Sequence, residues 1–193
     1  MELADGQAAL PGPSVIMITG TMAAGKSSVA QALAERLPRS VHLRGDLFRR
    51  MIVRGQAAMN FELSPEAEAQ LWLRYRLAAS AAAQYVSAGF TVVYQDIVIG
   101  SALAEVVALH AAHPLALFVL CPRAEVLAAR DAARPKTGYP DEATVAAFDR
   151  VVRQETPRLG YWLDTSDLTL AETVDHILGH IDQAWVTPPG AYA

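Results

Sequence analysis

The 193-residue chain is 52% hydrophobic, enough for one substantial core and too short for two ordinary domains. Its net charge of −4 and pI near 5.7 argue against a nucleic-acid partner, because neutralising phosphates takes a concentrated basic face. Cys121 is the one cysteine, Glu2 and Asp5 stand where a signal peptide carries positive charge, and no apolar run nears the roughly 20 residues that span a bilayer. The expectation is a cytoplasmic protein with no membrane segment and no internal disulfide.

In chain order, Met1 to Pro13 reads as a tail and Val15 to Thr19 as a strand. That strand runs directly into Gly20-Thr21-Met22-Ala23-Ala24-Gly25-Lys26-Ser27, which satisfies G-x-x-x-x-G-K-[ST] in the strand-loop-helix setting the motif requires. Glycines let successive backbone N–H groups point inward at phosphate oxygens, and the helix that follows adds its positive N-terminal end. Lys26 then reaches the β- and γ-phosphates of ATP as a point charge, and the Ser27 hydroxyl coordinates Mg²⁺. Ser28 completes this expected nucleotide-binding set. In the helix after Lys26, Val29, Leu33 and Leu37 recur every four residues until Pro38 ends the pattern.

The second strand, Val41 to Leu43, leads to Arg44-Gly45-Asp46. Asp46 falls on the same expected sheet edge as the phosphate loop and is the choice for catalytic base. A carboxylate is a weak base toward an alcohol, so it would orient the acceptor hydroxyl first and take its proton late. The same aspartate also suits the N-cap of a helix over Leu47 to Val53. Ser64 and Pro65 announce a long helix that passes Leu71, Tyr75 and Ala78 toward Gly89. A third strand, Thr91 to Tyr94, delivers Asp96 to its carboxyl end, where ligands bind in an open α/β sheet. Asp96 is read as a carboxylate for the metal or the acceptor, with a turn cap as the plainer alternative.

Helices follow the third strand and the fourth, Leu115 to Leu120. Arg130 and Arg134, four apart, share a face of the second of these, where guanidinium groups stack on adenine or grip phosphate oxygens; ordinary surface arginines would look the same. The Pro- and Gly-punctuated residues after Arg134 suit a mobile lid. Asp141 to Gln154 reads as a helix, Tyr161 to Leu163 as a fifth strand, and Thr169 with Glu172 as a capping box opening the last helix. Thr187 to Ala193 reads as a tail. His176 and His180, in line with Glu172, suggest an exposed polar face rather than a metal site. Trp72, Tyr75 and Phe61 are aromatic residues at core-like spacing, and Cys121 reads as a small buried apolar residue.

Strands alternating with helices predict a parallel sheet covered on both faces. Together the motifs, from Val15 to about Leu178, resemble the nucleoside-monophosphate-kinase-like group of P-loop phosphotransferases, which includes shikimate kinase, gluconate kinase and chloramphenicol phosphotransferase. The resemblance implies one α/β domain over 1–193 with an ordered core at 14–186. It further implies a five-stranded parallel sheet of order 2-3-1-4-5, a substrate-binding region at 44–88 and a lid at 130–141. It implies that Asp46 is the base, that Arg130 stacks on adenine while Arg134 binds phosphates, and that Thr165 approaches adenine. Arg44 and Arg54 join Asp46 and Asp96 on the acceptor side, and Arg74 and Arg76 are further cations for an anionic acceptor. The surroundings of Gly45-Asp46 and Gln95-Asp96-Ile97 look closest to the antibiotic phosphotransferase branch. The Asp-x-Asp and Gly-Gly motifs of shikimate kinase are absent. So is the paired-arginine pattern of a nucleoside monophosphate kinase. The expected activity is transfer of a phosphoryl group from ATP to a hydroxyl of a small molecule, such as an antibiotic. A nucleoside monophosphate kinase and a non-catalytic ATP-binding regulatory module are the alternatives. The sequence is also compatible with a homodimer.

Overall fold

The computed structural model describes residues 12–133, 139 and 141–187. Along the chain run β1 (Val15–Thr19), α1 (Lys26–Arg36), β2 (Ser40–Arg44), α2 (Asp46–Arg50), α3 (Pro65–Ser87) and β3 (Thr91–Gln95). They are followed by α4 (Ala102–Leu109), β4 (Leu115–Leu120), α5 (Ala124–Ala132), α6 (Glu142–Arg150), β5 (Tyr161–Leu163), α7 (Leu170–Gly179) and β6 (Trp185–Thr187). Five parallel strands lie in the order β2-β3-β1-β4-β5, as expected.

The apolar runs are continuous because both faces of the sheet are covered. In β1, Val15 and Met17 face one layer with α3 and α4 residues such as Tyr75, Ala78, Leu103 and Val106. Ile16 and Ile18 face the other, with Val29 and Leu33 of α1 and Val174 and Ile177 of α7. All four β1 side chains are fully buried. At about 1.5–3 kcal/mol for each large apolar side chain removed from water, this two-sided burial is the main force holding β1 at the centre.

Local signals set the element ends. Ser64 accepts a hydrogen bond from the Ala67 backbone N–H and Pro65 occupies the first turn, which opens α3. Thr169 and Glu172 cap α7 reciprocally. The helix expected over Asp141 to Gln154 divides into α6 and a π turn at Val151–Glu155. A strand not anticipated in the sequence, β6, pairs antiparallel with Leu115 and Ala116 of β4. The residue taken as the first of the C-terminal tail, Thr187, is its last member. Asp46 does not cap α2. Gly45 holds the N-cap position, and Asp46 is the first helical residue.

Among the described residues, no helix is long and apolar enough to cross a membrane. His176 and His180 are half-buried rather than exposed. Their rings stack 4.0 Å apart, and Tyr161 Oη lies 2.9 Å from His176 Nε2. Tyr75 is a core residue and Trp72 packs beside it, whereas Phe61 is 52% exposed. Cys121, expected to be buried, is half-buried just beyond β4.

Candidate active site

Everything that the parallel strands carry at their carboxyl ends arrives on one edge of the sheet, where α/β proteins bind ligands. The loop after β1 turns sharply at Gly20, whose φ of +139° suits glycine, and a Cβ there would collide with the Leu120 carbonyl at the end of β4. The loop therefore lies tight against the sheet. Thr19 fixes its base: the Thr19 hydroxyl donates to the Val98 carbonyl at 2.7 Å and accepts from the Val98 N–H at 2.9 Å. Lys26, at the start of α1, is buried and donates to the Thr21 carbonyl at 2.5 Å, and Ser27 and Ser28 are exposed.

A cavity of about 390 Å³ opens over this loop. Met22, Ala23, Gly25, Lys26, Ser27 and Ser28 form one wall, Asp46, Arg74, Gln95, Asp96 and Ile97 the other, and Arg130 reaches in from α5. Of the expected site residues, Lys26, Ser27, Ser28, Asp46, Asp96 and Arg130 thus meet in one place. A second hollow of about 140 Å³ continues from Gly25 and Ser28 past Arg130 and Thr165 to Leu168, Leu170 and Thr173. Arg130 donates to the Thr165 carbonyl at 2.8 Å, which joins the two residues expected near adenine. Arg54 is exposed and outside the cavity. Arg44 flanks it through Asp46, and Arg134 with the rest of 134–138 and residue 140, half of the expected lid, lie outside the described residues. Within the Pro- and Gly-punctuated part of the lid, Tyr139 is described. Its hydroxyl donates to the Met22 carbonyl at 2.8 Å and ties the segment to the phosphate loop.

Asp46 is held from both sides. Its Oδ2 pairs with Arg50 Nη2 at 2.6 Å, one helical turn on, and its Oδ1, a buried atom, lies 3.5 Å from Arg44 Nε and has no hydrogen-bond partner among the described residues.

The expectation of Asp96 as a metal ligand meets a carboxylate whose oxygens are already taken. The Arg74 guanidinium grips both of them, the Tyr94 hydroxyl donates to Oδ2 at 3.2 Å, and the Ile97 N–H donates to Oδ1 at 2.7 Å. Burial pushes the Asp96 carboxyl up against the opposing pull of Arg74. Burial works to lower the Arg74 pKa too, but the charge of Asp96 and its hydrogen bonds outweigh it and hold the guanidinium up. Burial, then the charge of Asp96, raises the Tyr94 phenol well above its ordinary range, so it stays a donor. Among the described residues, no three His, Cys, Asp or Glu side chains group as a ready-made metal site. Mg²⁺ still fits the exposed Ser27 hydroxyl, because this ion keeps most of its waters and shares phosphate oxygens of its nucleotide.

Arg74 is the residue whose weight the sequence did not convey, since it stood only beside Arg76 as a further cation for an anionic acceptor. A signal was present: it shares a helical stripe with Ala67, Ala78 and Ala82, all fully buried. A charge in such a stripe needs a buried partner.

A family model described as an AAA domain matches residues 15–157. No curated protein matches the sequence. Among solved structures, a gluconokinase from Sinorhizobium meliloti 1021 superposes with a TM-score of 0.65 at 22% identity, over 88% of this chain and 92% of that one. The tunicamycin resistance protein of Deinococcus radiodurans gives 0.65 at 17% identity, over 92% and 99%. The APS kinase CysC of Mycobacterium tuberculosis, in complex with AMPPNP and APS, gives 0.63 at 21% identity, over 90% and 99%. At these identities the likeness is one of fold, that of P-loop small-molecule kinases.

Proposed function

The chain belongs to the AAA-domain family, and from that premise we propose that it is an ATP-dependent phosphotransferase that moves the γ-phosphate onto a hydroxyl of a small molecule. The observation that carries this reading is that the phosphate loop, with Lys26 and Ser27, and the acidic Asp46 line one and the same cavity. A module that only bound nucleotide would need the first wall and not the second.

In this reading the backbone N–H groups of Thr21, Met22, Ala23, Ala24 and Gly25 cradle the phosphates, and Lys26 releases Thr21 to neutralise the oxygens of the transferring group. Ser27 holds Mg²⁺, which when bound neutralises further charge on the β- and γ-phosphates. Arg130 and Thr165 border the hollow assigned to adenine, and Arg134, four positions further along the sequence, is the second arginine proposed for the phosphates. Asp46 accepts a hydrogen bond from the acceptor hydroxyl, aligns its oxygen for in-line attack, and takes the proton as the new P–O bond forms. The transition state is loose, so alignment and charge neutralisation supply most of the catalysis. Asp96 acts through Arg74 rather than on the metal. A reaction that consumes ATP suits the cytoplasm.

The test is ADP release over a panel of sugars, nucleosides, nucleotides and hydroxylated antibiotics, the last included because the fold is shared with a tunicamycin resistance protein. At least one acceptor raises ADP release in the wild type and none does so in Lys26→Ala. ADP formation that no acceptor lifts above the Lys26→Ala level would overturn the reading.

A further inference from the structure

The ion pair beneath the acceptor wall has more to say about what this cavity takes. Arg74 lines the cavity, its side chain is 11% exposed, and that of its partner Asp96 is 2% exposed. Nε and Nη2 of Arg74 are both spent on Asp96, in the bidentate geometry natural to a guanidinium and a carboxylate. Among the described residues Nη1 has no hydrogen-bond partner, yet it carries two N–H groups in the same rigid plane. The plane is held from behind by the Tyr75 ring, 5.8 Å from the guanidinium carbon. Tyr75 is itself anchored by donating to the Ile97 carbonyl at 2.8 Å. The cavity is thus offered a fixed pair of donors whose formal charge is cancelled a few ångströms away.

The other charges of the cavity divide by position. Lys26 and Arg130 stand on the side of β1, β4 and β5, next to the phosphate loop and the hollow at Thr165. Asp46, Arg74 and Asp96 stand on the side of β2, β3 and α3. On this second side the lining residues carry one positive and two negative charges, and Arg44 and Arg50 compensate Asp46 from outside the cavity. Among the described residues that line this side, the one cation is Arg74, already paired with Asp96, so none is left over to offset the desolvation of a carboxylate or phosphate on the acceptor.

We propose that the Arg74–Asp96 pair makes this site selective for uncharged acceptors: Arg74 Nη1 donates to a carbonyl, amide or hydroxyl oxygen of a neutral molecule, and Asp96 is the positioning residue that masks the guanidinium charge and so disfavours anionic acceptors. This rests on the reading of the cavity as a phosphotransferase site and narrows its acceptor to a neutral molecule with a second polar oxygen beside the hydroxyl that is phosphorylated. Asp96 governs which acceptor is chosen without touching it.

Acetamide and acetate, nearly identical in shape and different in charge, are the probes. Their binding is followed through the side-chain Nε–H resonance of Arg74, assigned by its loss in Arg74→Gln, with and without AMPPNP and Mg²⁺ filling the nucleotide side. In the wild type, acetamide moves this resonance at lower concentration than acetate. In Asp96→Asn, which keeps the shape and removes the mask, the preference swings toward acetate by about tenfold or more, the size expected when one close countercharge is deleted. Wild-type protein that binds acetate at Arg74 better than acetamide, or acetamide that leaves Arg74 unmoved, overturns the proposal, and neither result depends on whether Asp96→Asn folds. An unchanged preference in a folded Asp96→Asn also overturns it. Failure of AMPPNP to bind would instead count against the phosphotransferase reading, while the Arg74 titration is still read on the free protein.

Discussion

Gly45 has no side chain because Asp96 stands where one would go: a Cβ at this position would collide with Oδ2 of the carboxylate, and the Tyr94 ring is next to it. The Gly45 N–H also donates to the Gln95 carbonyl at 3.1 Å, so the end of β2 is seated on the end of β3. Asp46 is the next residue and inherits its position from that seat. Gly45→Ala therefore has to displace Asp46 or break the grip of Arg74. Acceptor-dependent ADP release is expected to fall by about 10²-fold, the cost of a misplacement near 1 Å, while ATP affinity stays within twofold. Unaltered turnover in this variant would mean that the contact does not position Asp46. That Lys26, Ser27 and Asp46 come to one cavity was legible in the sequence because the cues are local, a loop of fixed spacing and an aspartate just past a strand. The Arg74–Asp96 pair was not, because its members are 22 residues apart and meet only when α3 packs over β3.

Among the elements, the ones with strong local chemistry appear in the sequence nearly to the residue. Val15–Thr19, Leu115–Leu120 and Tyr161–Leu163 are strands as read, and Pro65 and the capping box at Thr169 open their helices as read. The misses have tertiary causes. β5 covers only Phe118 to Leu120 on the outer edge of β4 and leaves Leu115 and Ala116 open. Three residues, Trp185 to Thr187, fill the gap as β6, and such a strand has no period of its own to detect. The capping box gives the element-scale prediction. Thr169→Ala removes the acceptor for the Glu172 N–H and leaves the Glu172 carboxylate without the threonine hydroxyl. The melting temperature is expected to drop by about 2–4 °C with no change in ATP affinity. Thermal melts that coincide with wild type would show that α7 is held by packing alone.

For the molecule as a whole, the 2-3-1-4-5 order brings the phosphate loop, Asp46, Asp96 and Thr165 to one edge although they are spread over 145 positions, from Gly20 to Thr165. Behind that edge the core carries a titratable group with a global consequence. His110 is 3% exposed, its ring lies 5.3 Å from that of Tyr94, and burial pushes its pKa down from 6.5 to about 4. The unfolded chain takes up this proton near pH 6.5 and the folded one does not until about pH 4. The stability that neutral His110 provides is therefore full above pH 6.5 and is lost as the pH falls from 6.5 toward 4, with a slope approaching about 1.4 kcal/mol per pH unit. Denaturant midpoints measured from pH 7 to pH 4.5 are expected to fall less steeply in His110→Phe than in the wild type. Parallel curves would place the acid sensitivity elsewhere.

Asp46 lining the same cavity as the phosphate loop is the observation on which the whole functional account turns. The most direct test is to measure ATP affinity and acceptor-dependent phosphoryl transfer side by side in Asp46→Asn. The account predicts that ATP binds as in the wild type while transfer falls by about 10²–10⁴-fold, the usual worth of a general base. Transfer that survives this substitution, or that is lost only together with ATP binding, would contradict it.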